Sequence, residues 1–188
     1  MHNKIIIISG PSAVGKSRVI NQICKMNSDF EFLVSYTTRE RRRDERDGED
    51  YYFITNTVFE RMNSSNKFFE VSRNDFGNYG ISYESISKIL LTNKNIITDC
   101  NLEGYLKFKK EYGERCVGIF IRPTSLGELY SQLKKRGVSR GIMNSNDLHR
   151  RWENSLDVMK TVDLYDFALI NVNVVETAET IVKRIREW

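Results

Sequence analysis

The sequence KIIIISGPSAVGKS, residues 4–17, is the most informative stretch of this chain. The run from Ile5 to Ile8 is apolar and β-branched throughout, which is typical of a strand buried on both faces in a parallel sheet. A glycine-bearing turn follows, and apolar residues then recur at helical spacing between residues 16 and 26. The chain is therefore predicted to begin with a strand, a glycine loop and a helix.

Residues 10–17, GPSAVGKS, match the phosphate-binding pattern GxxxxGK[ST] in full. In such a loop the backbone N–H groups point inward around phosphate oxygens, and the N-terminus of the following helix adds positive charge. Lys16 is expected to reach the β- and γ-phosphates, and the Ser17 hydroxyl to ligate Mg²⁺. The pattern predicts a nucleoside triphosphate site formed by Gly10, Ser12, Ala13, Val14, Gly15, Lys16 and Ser17.

The alternation of strands and helices returns further along the chain. Buried strands are predicted at residues 95–99, 117–121 and 167–170, and helices at 102–112, 126–133 and 176–188. This order predicts a doubly wound α/β fold around a parallel sheet. Two stretches interrupt it: the aromatic and basic segment 34–84 is predicted to be a small, mostly β insertion, and the basic segment 134–151 a mobile connection between two helices.

Asp99 ends the predicted strand 95–99 and is expected beside the glycine loop. Ligands gather along this edge of open α/β sheets, so the carboxylate suits a water-mediated contact with Mg²⁺. An aspartate that only caps a turn or a helix is the alternative that the sequence leaves open.

Composition limits the class of protein. The 188 residues correspond to one domain, and 40% hydrophobic with 29% charged residues excludes a largely disordered chain. The three cysteines, Cys24, Cys100 and Cys116, form no CxxC pair, which argues against a zinc site and a disulfide-stapled secreted domain. No membrane span or targeting segment is visible, so the cytoplasm is the expected location.

Arg39, Arg42, Tyr51 and Tyr79 form a candidate second phosphate site. Guanidinium groups bind phosphate oxygens in a bidentate manner, and tyrosine hydroxyls donate further hydrogen bonds. By itself, the arginine-rich segment 39–46 also fits a solvated basic face or a nucleic-acid patch, and the net charge of +4 permits either kind of anion.

The local sequence around these residues resembles the guanylate kinase family. The matching pieces are VSYTTR at 34–39, Arg42, DGEDYYF at 47–53, FFE at 68–70 and GNYG at 77–80, and with the phosphate loop they run over nearly the whole chain. The resemblance implies a P-loop NTPase fold in a single domain, 1–188. It also implies an acceptor-binding lobe at 34–84, a helical lid at 126–155 and a core made of the remainder.

The resemblance assigns roles to individual residues. Arg39, Arg42, Tyr51 and Tyr79 match positions that hold the acceptor's phosphate, and Ser35 and Glu70 match positions that read guanine. Two further base-reading positions depart from the family pattern: Ile81 stands where Thr or Ser is usual, and Asn101 where a second Asp follows the one matching Asp99. Asp99 and Asn101 are counted with the acceptor-binding residues.

The resemblance also identifies lid and donor positions. Arg136 and Arg151 match lid arginines, which neutralise the phosphates in transit and, with Lys16 and Arg39, form the expected catalytic set. Gln132 stands where an earlier lid arginine is common, and Arg140 or Arg150 could replace it. Asn171, at the end of the last strand, resembles a position near the donor adenine.

The function implied is ATP-dependent phosphoryl transfer to a nucleoside monophosphate, with GMP or dGMP as the expected acceptor and ATP and Mg²⁺ as cofactors. Ile81 and Asn101 favour an alternative, a kinase with a changed acceptor such as a modified purine nucleotide or another phosphomonoester. A non-catalytic interaction module is disfavoured by the intact phosphate loop. The expected partners are small nucleotides, without nucleic acid or membrane, and the functional unit is a monomer or homodimer.

Overall fold

The computed structural model describes residues 3–74, 76–138 and 145–188. Its core is a five-stranded sheet in which every neighbouring pair of strands is parallel. From one edge to the other, the strands are β2 (Phe30–Phe32), β7 (Asn95–Asp99), β1 (Ile5–Ser9), β8 (Cys116–Arg122) and β9 (Phe167–Ile170).

Helices cover both faces of this sheet, and the isoleucine run shows why. Ile6 and Ile8 belong to one apolar cluster, whereas Ile5 and Ile7 belong to a second, because successive side chains of a strand point to opposite faces. The first cluster is completed by α1 (Lys16–Met26), α5 (Leu126–Val138) and α7 (Val174–Glu187), and the second by α3 (Tyr83–Leu90) and α4 (Leu102–Tyr112). This arrangement confirms the predicted doubly wound α/β fold.

A second sheet of four strands occupies the predicted insertion. Its order is β4 (Tyr52–Phe53), β3 (Tyr36–Thr37), β6 (Gly77–Ser82) and β5 (Phe68–Asn74), with β3 and β4 parallel and the other pairs antiparallel. The helix α2 (Asn56–Ser64), which the sequence reading missed, interrupts the segment. It packs on the sheet through Phe59, whose ring centroid lies 4.7 Å from that of Phe68.

The helix pair α5 and α6 (Ser145–Met159) stands beside the second sheet. The prediction of a non-helical connection at 134–151 is wrong at both ends, since α5 continues to Val138 and α6 begins at Ser145. Leu148, within the first turn of α6, packs against the first apolar cluster and so supports helix there. Just outside the segment, Tyr130 of α5 contacts Trp152 of α6 edge to face. Arg140 lies outside the described residues. No helix in the described ranges is long and apolar enough to cross a membrane.

Candidate functional site

A cavity of about 1210 Å³ opens where the carboxyl ends of β1 and β7 face the second sheet and the α5–α6 pair. It gathers most of the residues singled out from the sequence. These are Ser12, Ala13, Val14, Gly15, Lys16, Ser17, Arg39, Arg42, Tyr51, Tyr79, Asp99, Arg136, Arg151 and Asn171. Five other predicted residues do not line it: Gly10, Ser35, Glu70, Ile81 and Asn101.

The phosphate loop, residues 10–17, is shaped by two glycines. Gly10 and Gly15 have φ angles of 137° and 102°, which side chains rarely allow. A Cβ on Gly15 would lie 2.6 Å from the Asn171 side-chain nitrogen, which itself donates a hydrogen bond of 2.8 Å to the carbonyl of Val14. Asn171 therefore braces the loop from the end of β9, in addition to lining the cavity.

Lys16 and Asp99 place opposite charges at the mouth of the loop. Lys16 Nζ donates hydrogen bonds to the carbonyl oxygens of Gly10 at 2.7 Å and Pro11 at 3.1 Å. Burial lowers the pKa of Lys16, and the Asp99 carboxylate partly opposes this shift. Burial likewise raises the pKa of Asp99, and the Lys16 ammonium opposes it. Each charge thus makes the burial of the other less costly.

The same edge offers oxygen ligands for a hard cation. The Ser17 hydroxyl and the Asp99 carboxylate both line the cavity, and Mg²⁺ prefers oxygen ligands of this kind. Among the described residues, no group of three or more His, Cys, Asp or Glu side chains could hold a metal by itself. The donor set therefore fits a cation that takes its remaining ligands from phosphates and water.

A buried carboxylate organises the two arginines of the second sheet. Glu45 accepts hydrogen bonds from both terminal nitrogens of Arg39, each at 2.8 Å, and from Arg42 Nη1 at 3.0 Å. Burial raises the pKa of Glu45, but the Arg39 and Arg42 hydrogen bonds outweigh it and bring the pKa below its ordinary value. Arg39 Nε is buried and has no hydrogen-bond partner within the part of the chain that the structure describes. Both guanidinium groups are therefore held in place beside the cavity.

Two tyrosines complete this anion site. The rings of Tyr51 and Tyr79 pack edge to face with centroids 5.9 Å apart, and the Arg39 guanidinium carbon lies 5.1 Å from the Tyr51 centroid. The charge of Asp99 and burial raise the pKa of Tyr51, so its hydroxyl stays protonated and can donate. The four predicted phosphate-holding residues are thus brought together.

Glu70 lies on β5 behind this anion site. Its side chain is buried, and burial raises its pKa from 4.5 to about 7, with Lys107 opposing and Glu103 adding to the shift. The start of α4 approaches it closely, because a Cβ on Gly104 would lie 3.3 Å from Glu70 Cγ. Ser35 is also buried, at the start of the second sheet.

The two departures from the family pattern have structural roles. Ile81 is 1% exposed and packs in the second apolar cluster, so it contributes to the core. Asn101 caps α4, since its Oδ1 accepts from the Gly104 N–H at 2.9 Å, and its Nδ2 donates to Ser72 Oγ at 3.3 Å. Ser72 pairs with Tyr79 and shares a strand face with Glu70. Glu70, Ser72 and Asn101 form what we call the β5–α4 wall.

The α5–α6 pair presents further positive charge to the cavity. Burial lowers the pKa of both Arg136 and Arg151, and the nearby charge of Arg42 lowers both further. Gln132 donates to Glu128 at 2.6 Å within α5, and Arg150 pairs with Asp147 at 2.7 Å within α6. Both Gln132 and Arg150 also line the cavity.

Two residues of this site were missed in the sequence. Glu45 is one of three acidic residues in the segment 39–46, and no spacing rule selects it over Glu40 or Asp44. Phe76, at the tip of the β5–β6 hairpin, lies against Arg151 of α6. Both contacts join residues whose proximity depends on how the chain folds back.

Comparison with known proteins agrees with this geometry. The guanylate kinase family profile matches residues 2–187. The chain belongs to the guanylate kinase family. A guanylate kinase of Porphyromonas gingivalis is 34% identical over 189 residues, covering 98% of this chain and 97% of the relative. One of Thermotoga maritima is 31% identical over 186 residues, covering 99% of this chain and 87% of the relative.

A solved structure supports the fold independently. The crystal structure of guanylate kinase from Anaplasma phagocytophilum aligns with a TM-score of 0.78 at 24% identity, covering 99% of this chain and 86% of that chain. The predicted fold and the predicted enzyme class, a phosphotransferase of the guanylate kinase type, are confirmed. Nothing in these comparisons supports the alternatives of a changed acceptor or an interaction module.

Proposed function

We propose that this chain transfers the γ-phosphoryl group of ATP to GMP or dGMP, giving ADP and GDP or dGDP. The observation that carries this proposal is the single cavity that joins two anion sites. One is the phosphate loop with Lys16, and the other is the set of Arg39, Arg42, Tyr51 and Tyr79. A donor and an acceptor phosphate placed in these sites would face each other, as in-line transfer requires.

The acceptor phosphate would be held by the second set. Arg39 and Arg42 are oriented by Glu45, so less side-chain entropy would be lost when a phosphate binds. The hydroxyls of Tyr51 and Tyr79, which also line the cavity, would add donors without adding charge.

The donor triphosphate would be bound by the loop and α1. Backbone N–H groups of residues 10–17 and Lys16 Nζ would bind its oxygens, and Ser17 and Asp99 would hold Mg²⁺. When bound, that cation neutralises charge on the β- and γ-phosphates. Asn171 would act on the donor side through its brace on Val14.

The β5–α4 wall would read the base. An ionised Glu70 accepts hydrogen bonds from N1–H and N2–H₂ of guanine, a pair of donors that adenine lacks. Ser35 would supply a hydroxyl beside it. Ile81 pairs with Glu70 across the sheet but carries no hydroxyl, so the hydroxyl on this wall would be that of Ser72, which is held by Asn101.

Transfer would need positioning and charge neutralisation more than a general base, since the acceptor phosphate is largely ionised at neutral pH. Lys16, Arg39, Arg136 and Arg151 would surround the group in transit. The lobe at 34–84 and the lid at 126–155 would close over it and exclude water. The three free cysteines are consistent with the cytoplasm as its location.

The test is a coupled assay of ADP release with ATP, Mg²⁺ and a panel of GMP, dGMP, IMP, AMP, CMP, UMP and modified purine nucleotides. A strong preference for GMP or dGMP is expected. Turnover of another monophosphate with little turnover of GMP would overturn the proposed acceptor, and no turnover of any acceptor would overturn the proposed reaction.

A further inference from the structure

Arg151 of α6 stacks on the ring of Phe76, at the tip of the β5–β6 hairpin. The guanidinium carbon lies 3.6 Å from the ring centroid, whereas the other arginine–aromatic contacts of the described residues measure 5.1–5.6 Å. A distance of 3.6 Å is reached only over the face of a ring, because the ring's own hydrogens block an approach in its plane. The contact therefore joins the second sheet to the helix pair through a cation and a π face.

The stack offsets a repulsion within the cavity. Burial lowers the pKa of Arg151, and so do the like charges of Arg42 and Arg150, while Asp147 and Tyr79 act in the opposite direction. Arg136 is subject to the same repulsion from Arg42 and Arg151. The negative face of an aromatic ring attracts a cation in this position, so Phe76 favours a location that the neighbouring arginines disfavour.

The backbone fixes where this ring stands. Gly77 has a φ of 143°, and a Cβ there would lie 2.9 Å from the backbone nitrogen of Arg39. Asn78 accepts from the Thr38 N–H at 3.0 Å and donates to Thr38 Oγ1 at 3.0 Å. The hairpin tip that carries Phe76 is thus tied to the chain that carries Arg39, and Arg151 of α6 contacts this tip through the Phe76 ring.

Two arginines are held in different ways. Glu45 holds Arg39 through the guanidinium N–H groups, which are the groups that bind phosphate. Phe76 holds Arg151 through the face of the guanidinium and uses none of its N–H groups. An arginine held by its face keeps its donors available for an incoming phosphate.

We propose that Phe76 is a positioning residue, which keeps Arg151 at the point of phosphoryl transfer and links the acceptor-binding hairpin to the lid helix α6. The inference rests on the proposed function, because Arg151 acts on the phosphate in transit. Loss of the ring would leave nucleotide binding nearly intact and slow the step after binding.

The experiment compares Phe76→Leu, Phe76→Tyr, Arg151→Lys and the double variant Phe76→Leu/Arg151→Lys in the coupled assay. Phe76→Leu is expected to lower kcat about 3- to 30-fold, the range for a partly to fully desolvated cation–π contact, with the KM for GMP within about twofold. Phe76→Tyr, which keeps the ring, is expected to retain near-normal kcat. Tyr83→Leu removes an exposed aromatic side chain outside the cavity lining and is the matched control.

The double variant separates positioning from packing. Lysine at 151 keeps the charge but loses the flat face, so Phe76→Leu is expected to add less than about a twofold loss in that background. Full kcat in Phe76→Leu, or independent losses that multiply in the double variant, would overturn the inference.

A second measurement tests the inference even if Phe76→Leu fails to fold. Replacing Phe76 by phenylalanines with increasing ring fluorination keeps the shape and removes the negative face, so kcat should fall stepwise with fluorination. A flat series would overturn the inference. An unsubstituted chain that forms no ADP with GMP would instead overturn the proposed function itself.

Discussion

The phosphate loop would bind a phosphate group and the β5–α4 wall would bind a base, and the two sites are built differently. The loop is contiguous, residues 10–17, and two glycine conformations with one buried lysine give it its shape. The wall is assembled from Glu70 and Ser72 of β5 and from Asn101 at the start of α4, and burial raises the pKa of its carboxylate. A site for a common group such as phosphate is encoded locally, whereas a site for one base depends on tertiary packing.

The largest effect is expected from a substitution in the phosphate loop, which should impair the donor site and leave the acceptor site intact. Lys16→Ala should lower kcat by about 10³-fold, because it removes the ammonium that would stabilise charge on the transferred group. GMP binding, measured by calorimetry, should change by less than about threefold, since Lys16 belongs to the donor site. Lys25→Ala, on the exposed end of α1, is the control and should change neither kcat nor GMP binding. Equal loss of kinase activity and of GMP binding would contradict the separation of the two sites.

The next prediction concerns the carboxylate between the arginines. Glu45→Gln should reduce the free energy of unfolding in urea by about 2–4 kcal/mol, because it leaves two partly buried guanidinium groups without a counter-charge. The KM for GMP should rise about 10-fold, since the arginines are no longer oriented. Glu49→Gln, in the exposed pair with Arg46, should change neither quantity. A stable Glu45→Gln variant with normal KM would show that the arginines orient themselves.

A third prediction uses pH to separate the two regions. Glu70 has a pKa of about 7, so the ionised form that would bind guanine is lost as pH falls through 7. The KM for GMP should therefore rise up to about 10-fold per pH unit below 7, while the KM for ATP stays nearly constant over the same range. A KM for GMP that does not vary between pH 5.5 and 8 would remove Glu70 from base recognition.

Ionisation of Glu70 has opposite effects on the two properties, because it would favour GMP binding but lowers the stability of the folded state. Its folded pKa lies above its ordinary value of 4.5, so the folded state binds the proton more tightly and loses stability as pH rises from 4.5 to 7. Glu70→Gln should therefore raise Tm at pH 8 by several degrees, about 2 kcal/mol in free energy, while it weakens GMP binding. A lower Tm at pH 8 would indicate that the carboxylate is stabilised by a contact the structure does not contain.

The smallest effect is expected from a substitution within the β5–α4 wall. Asn101→Asp keeps a helix cap on α4 and adds the charge that the family usually has at this position, so the KM for GMP should fall about threefold with little change in Tm. Thr55→Asp makes a comparable cap substitution on α2, where the helix begins away from the cavity, and should not change the KM. A rise in KM for Asn101→Asp would mean that its amide, through Ser72, is the better partner for the acceptor.

Much of the fold could be predicted because the signals are local. The isoleucine run, the glycine loop and the amphipathic stripes of α1, α4 and α7 each lie within one element, and the structure contains all of them. The edge strand β2 and the helix α2 were missed, since three residues carry too short a pattern and α2 buries only Phe59. The ends of α5 and α6 were misplaced because their basic residues hide the apolar spacing.

The residues of the candidate site also differ in how they could be predicted. Lys16 and Ser17 were predicted from spacing alone, and the structure places them on the cavity wall with Asp99. The resemblance supplied Arg39, Arg42, Tyr51 and Tyr79, which also line it. Ile81 is buried in the second apolar cluster and pairs with Glu70 across the sheet, and its part in base recognition stays a prediction.

By itself, the sequence determined a phosphate-binding loop between a buried strand and a helix, because backbone conformation over a few residues needs only those residues. Only the tertiary structure decided which carboxylate pairs the arginines, which ring supports Arg151 and which hydroxyl stands beside Glu70. The Phe76–Arg151 and Ser72–Asn101 contacts join residues far apart in the chain, whereas Glu45 is close in sequence to both arginines and is selected by the conformation of its own segment. Burial and charged neighbours then set the charge states. Spacing along the chain does not carry that information, since it arises from packing and burial in the folded state.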